Sequence, residues 1–107
     1  MNMSKESFPN APDDWDISTA EETAISDGVD MSDDHWDLVR ALQEYYKKVD
    51  FPHLRQIKDA LDEKFHSRGG MKYLYQIIPG GPVAEGCRLA GLSVPSGAVD
   101  KSFGSVA

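Results

Sequence analysis

The sequence has one cysteine, Cys87, in 107 residues. A single thiol closes no internal disulfide, which excludes a stapled secreted scaffold. It also falls short of the two thiolates that a cysteine-based zinc finger needs. No apolar run approaches the ~20 residues that span a bilayer. Residues 1–6 have neither the basic start nor the apolar stretch of a signal peptide, so the expected compartment is the cytoplasm, where a lone thiol stays reduced. Metal-ligand spacing is missing as well. His35, His53 and His66 pair with no second His, Cys or acid in an HxxxH or HExxH pattern, and Asp33, Asp34 and Asp37 fit no calcium loop. The expectation is therefore no metal and no cofactor, with the histidines exposed or half-buried on helices. GxxxxGK[ST] and GxSxG motifs are absent, and Pro82 after Gly80-Gly81 removes an N–H that a phosphate cradle would use. Basic charge is scarce too. Eleven Lys and Arg against 18 Asp and Glu leave a net charge of −7, which argues against a general nucleic-acid binder.

The acidic excess is local. Residues 1–37 carry eleven acids and one lysine, whereas residues 38–107 carry ten basic and seven acidic side chains. The length suits one small domain, since domains run to roughly 100–150 residues. Residues 1–14, with a single Phe8, read as a loose, flexible lead-in. Ser18 as cap and Glu21 three residues on predict a short helix over 18–27 that Gly28 ends, with Trp15 and Ile17 tucked against the core just before it. Ser32, Asp33 and Asp34 form a helix start. Trp36, Val39, Leu42, Tyr46 and Val49 then recur at three- and four-residue steps, which predicts a helix over 33–49.

Asp50-Phe51-Pro52 is a short connector, with Pro52 tolerable in a first helical turn. Leu54, Ile57, Leu61 and Phe65 mark a second helix over 53–65, and Ser67 to Gly70 break it. Met71 to Ile78 is a short, mostly apolar helix. Pro79-Gly80-Gly81-Pro82 is a turn, and Pro82 opens a last helix to about Ala90 that Gly91 ends. No alternating strand and no internal repeat is present. The expected fold class is all-α: a helical body over 15–92, then an arm over 93–107 without periodicity.

On chemistry, the two longer helices and their short link form a helix-turn-helix-like pair. Arg55, Lys58, Lys64 and Arg68 face Asp59, Asp62 and Glu63 over 53–68. That surplus of one positive charge is too small to promise phosphate binding, so DNA contact is the minor reading and ordinary packing the major one. Cys87 is the residue with inherent nucleophilic chemistry. It lies beyond the first turn of its helix, where the dipole lowers a thiol pKa only weakly. Arg88 is its neighbour in sequence, and helix neighbours point apart. Spacing alone favours a buried, inert thiol.

Two segments add to this. Asp33-Asp34-His35-Trp36-Asp37-Leu38 through Gln43-Glu44-Tyr45-Tyr46 resembles a signature of the DsrC/TusE family. So does Lys72-Tyr73-Leu74-Tyr75 followed by Pro79-Gly80-Gly81-Pro82-Val83-Ala84-Glu85-Gly86-Cys87-Arg88-Leu89-Ala90-Gly91-Leu92. The resemblance spans roughly residues 13–99. It implies a small orthogonal helical bundle with a helix-turn-helix-like element, a flexible C-terminal arm, and a sulfur-relay role beside sulfite reductase-like or other sulfur-relay partners, without membrane or cofactor. Members of the DsrC type have two arm cysteines. Cys87 matches the inner one and is the candidate persulfide or disulfide site, with Arg88 and Lys72 as candidate supports. Ala98 stands where the arm-tip cysteine belongs, and residues 100–107 continue past it. Alanine carries no persulfide, so the resemblance implies sulfurtransferase-like chemistry at most. It leaves a second reading as a non-catalytic regulatory paralogue that binds DNA or a protein through the helical pair. The alternating hairpin that many relatives carry before the Trp15 region is missing.

Overall fold

In the computed structural model, which describes residues 5–98, the longest helix starts where Ser32 and His35 close its first turn. The elements are α1 (Ile17–Asp27), α2 (Asp33–Lys48), α3 (Leu54–Lys64), α4 (Gly70–Ile77) and α5 (Pro82–Ala90), with 3-10 turns at Lys5–Ser7 and His66–Arg68. No strand occurs among the described residues, so the fold is all-α.

The helix starts follow local hydrogen bonding. The N-cap of α1 is Asp16, not Ser18. The Asp16 carboxylate accepts from Thr19 N at 2.8 Å and Thr19 Oγ1 at 2.9 Å, which satisfies a first-turn amide two residues earlier than the Ser18–Glu21 box would. At α2, the Ser32 amide donates to His35 Nδ1 at 3.1 Å. Nε2 is then the nitrogen left to donate, and Ile77 O lies 3.1 Å from it. His35 is thus buried and ties the start of α2 to the end of α4, unlike the exposed His53 and His66. Pro52 lies just before the His53 cap of α3 instead of inside the helix, and Gln56 Oε1 accepts from His53 N at 2.9 Å.

Two apolar clusters share α2 and α5. One gathers Leu38, Leu42, Ile57, Leu61, Phe65, Leu74, Ile78, Val83 and Cys87. The other gathers Phe8, Trp15, Ala20, Ala24, Trp36, Val39, Leu89 and Ala90. The helices α2 and α5 pack tightly at Gly86, where a Cβ would sit 2.6 Å from Leu42 Cδ1 and 3.2 Å from Leu38 Cδ2.

Phe8 departs from the loose lead-in expected of its stretch. It is buried, 5.0 Å from the Trp15 ring and 5.7 Å from the Trp36 ring between centroids. Burial of its large aromatic surface between the two indoles favours holding the segment in place. Trp15 in turn donates Nε1–H to Leu89 O at 2.7 Å. Gly91 ends α5 in the left-handed region at φ 74°, against the Trp15 side chain.

Candidate functional site

Pro82 sets the start of α5, and helical spacing then places Val83 and Cys87 on one inward face. Cys87 is fully buried. Its Sγ lies 3.5 Å from Tyr46 Oη of α2. The same phenol donates to Ser93 O at 2.6 Å. Because a phenol has one hydrogen and Ser93 O takes it, the thiol is the donor toward Tyr46. Burial pushes the Cys87 thiol pKa up, and the phenol beside it offsets this only in part. Burial, then the nearby sulfur, also raises the Tyr46 pKa. The pair is therefore a protonated, water-excluded thiol under a neutral phenol.

The segment after α5 roofs this pair. Leu92 N donates back to Cys87 O at 2.9 Å, and Tyr46 holds Ser93. The chain then turns at Pro95, with Ala98 N donating to Pro95 O at 3.2 Å. Ala98 packs half-buried against the first cluster. It lines a recess of about 240 Å³ with Lys58, Tyr75, Gly80, Gly81 and Val83. Val83, one turn before Cys87, lies between the Ala98 recess and the buried thiol along α5. A wider cleft, about 520 Å³, separates Ser93–Ser96 from the α2–α3 connector. At its rim Phe51 is 93% exposed at φ 48°.

The other residues singled out in the sequence do not converge on the thiol. Arg88 gives Nε to Asp27 Oδ2 at 2.9 Å and Nη2 to Asp27 Oδ1 at 3.1 Å, so its guanidinium is committed to α1. Lys72 is exposed on α4. Lys64 pairs with Glu44 at 3.5 Å, and Arg68 pairs with Asp34 at 2.8 Å and Asp37 at 3.0 Å. Half of the basic set on and after α3 is thus neutralised from α2. Among the described residues no group of three His, Cys, Asp or Glu could hold a metal ion, and no helix is long and apolar enough to cross a membrane.

Two groups with unusual surroundings escaped the sequence reading. Tyr46 counted there only as one apolar position of a helical stripe, and its hydroxyl partner lies 47 residues away. Glu85 was read as part of a motif. Its carboxyl pKa is raised to about 7, first by burial and then by the hydrogen bond and charge of Asp27, with Arg88 opposing. Among the described residues, Glu85 Oε2 is buried without a hydrogen-bond partner.

Among the described residues the protein is thus an all-helical body that buries a thiol on its last helix and ties the following segment beside it. Residues 1–99 match the family model described as DsrC like protein, and the chain belongs to that family. It is 29% identical over 97 residues to the sulfurtransferase TusE of Salmonella typhimurium, a match that covers 89% of each chain. It is 32% identical over 83 residues to the sulfurtransferase TusE of Shigella dysenteriae serotype 1, covering 76% of each. The NMR structure of Allochromatium vinosum DsrC superposes with a TM-score of 0.66 at 36% identity, covering 80% of this chain and 79% of that one.

Proposed function

We propose that this chain is a cytoplasmic sulfur-relay protein that works by docking to sulfur-metabolism partners, with Cys87 as a latent acceptor thiol. Family membership supports the relay role, and its relatives bear the name sulfurtransferase. The observation that carries the latent character is the Tyr46–Ser93 bond, which roofs a fully buried thiol. Sulfur acceptance needs a thiolate. Cys87 Sγ would attack the outer sulfur of a donor persulfide, R–S–SH. The S–S bond breaks, R–S⁻ leaves and Cys87 keeps the transferred sulfur, with no net oxidation. In the closed arrangement neither the thiolate nor the approach is available. A partner that draws away residues 93–98 would supply both, by wetting the thiol and opening its path. Ala98 offers no second sulfur, so the load cannot close into an internal disulfide.

Intact mass after incubation with a polysulfide donor tests this. The expected result is slow addition to the wild type, faster addition to Tyr46→Phe and none to Cys87→Ser. Rapid stoichiometric loading of the wild type would overturn the latent state. No loading of either thiol-bearing protein would remove the carrier role and leave a docking protein. For the regulatory reading, Arg55 and Lys58 keep clear of ion pairs among the described residues, while Lys64 and Arg68 do not. No observation favours that reading over relay.

A further inference from the structure

We propose that the end of α1 is a proton-controlled clasp: it stays closed on α5 while Glu85 and Asp27 share a proton, and it comes loose when that proton leaves. The apolar hold on α1 is slight. Of its eleven residues it fully buries Ala20 and Ala24, and α5 is the helix it chiefly packs against. Alanine side chains bury little apolar area, so the polar contacts at the Asp27 end matter to the docking. The chain before α1 is anchored separately, by the Phe8–Trp15 ring contact and the Trp15–Leu89 bond. Release of the clasp therefore frees the C-terminal end of the helix and leaves its approach in place.

The clasp holds two acids and one base. Arg88 gives Nε and Nη2 to the two oxygens of Asp27. Glu85, one turn before Arg88 on α5, is within hydrogen-bonding reach of the same Asp27 carboxylate. Its Oε2 is buried, and among the described residues no donor meets it. Ionised carboxylates only accept, so neither acid can satisfy the other, and an unmet buried oxygen is unfavourable. A proton between them replaces repulsion with a charge-assisted hydrogen bond. Asp27 of α1 and Arg88 of α5 are the charged groups that act on Glu85, and the other helices packed on α5, namely α2, α3 and α4, supply none. The Glu85 pKa of about 7 places loss of the proton near neutrality. Once the end of α1 opens, water reaches Glu85 and its ordinary value of 4.5 returns. By linkage between these two values, the opening constant rises about 10-fold from about pH 6 to about pH 8.

Native-state hydrogen exchange of the full chain at these two pH values is the test, each rate referred to the intrinsic rate at that pH. The amides of Gly28 and Val29, bonded to Ile25 O and Ala24 O, report the end of α1, and those of α2 report the body. The α1 amides should be less protected than those of α2 and lose about 10-fold in protection over the range. They should respond weakly to low urea, because local opening exposes little surface. Glu85→Gln, whose amide donates to Asp27 at any pH, should stay closed and lose the pH dependence. By carboxyl-carbon NMR, Glu85 should titrate near neutrality in the wild type and at lower pH in Asp27→Asn. If either variant does not fold, the wild-type titration and urea response decide the matter. The proposal is overturned if the α1 amides share the protection and urea response of α2, if the pH dependence survives Glu85→Gln, or if Glu85 titrates in the ordinary carboxylate range.

Discussion

Tyr46 does two jobs with one hydroxyl: it meets the Cys87 thiol and ties Ser93 down beside it. Tyr46→Phe keeps the ring and removes the tie to Ser93. The expected cost is about 1 kcal/mol, the net worth of an ordinary hydrogen bond. Alkylation of Cys87 should quicken by several-fold more than this loss of global stability explains. Iodoacetamide labelling followed by mass, beside urea denaturation, separates the two effects, and an unchanged labelling rate would show that the roof does not gate access. Gly86 is a second residue whose side chain, or lack of one, sets the geometry. Gly86→Ala places a methyl against Leu42 and Leu38, where two helices already touch. Overpacking of this kind costs about 1–3 kcal/mol. Thermal unfolding should show a lower midpoint even though alanine is the better helix former, and an unchanged or higher midpoint would mean that α5 shifts freely.

Among the elements, the pairing of α1 with α5 depends on protons. Asp27, at the end of α1, is held in its charged form by Arg88, and Glu85 lies beside both. The Glu85 pKa in the fold, about 7, lies above its ordinary value of 4.5. The folded state therefore binds more protons than the unfolded state between these values, and stability falls as pH rises through that window. Asp27 acts in the opposite sense: its lowered pKa contributes stability that is lost only as pH falls into the acid range. Glu85→Gln should flatten the decline between pH 5 and 8 in urea midpoints, where those pKa values place it. An identical slope in wild type and variant would exclude Glu85 as its source.

How much of this was legible depends on separation along the chain. The stripes Trp36-Val39-Leu42-Tyr46 and Leu54-Ile57-Leu61-Phe65 placed α2 and α3 within a residue or two, because a buried helical face imposes its own period on the sequence. Gly28 and Gly91 marked helix ends, and the structure places both in the left-handed region. The ties Arg88–Asp27 and Tyr46–Ser93 span 61 and 47 residues, and no local pattern announces which polar group meets which. Phe8 was illegible for another reason. One aromatic in a polar stretch has no period, and only the gap between Trp15 and Trp36 shows where it fits.

For the molecule as a whole, the two clusters lie on either side of α2 and α5 and have no other helix in common. Shared helices couple them, so unfolding should be a single cooperative transition. Both tryptophans belong to the second cluster, whereas far-UV circular dichroism reports all five helices. Urea curves from the two probes should coincide. Separation of the curves would mean that the cluster around Phe8, Trp15 and α1 opens by itself, exposing the Asp27–Glu85–Arg88 group before the thiol.

What the sequence determined unaided was the class of fold, the helix boundaries to within a residue or two, the likeness to a sulfur-relay family, and the presence of a single thiol. These are matters of local period and local identity. Tertiary structure decided the state of that sulfur. Whether a thiol is ionised and reachable depends on what surrounds it, and for Cys87 those surroundings come from α2 and the segment after α5, brought over it by packing that no stretch of sequence contains.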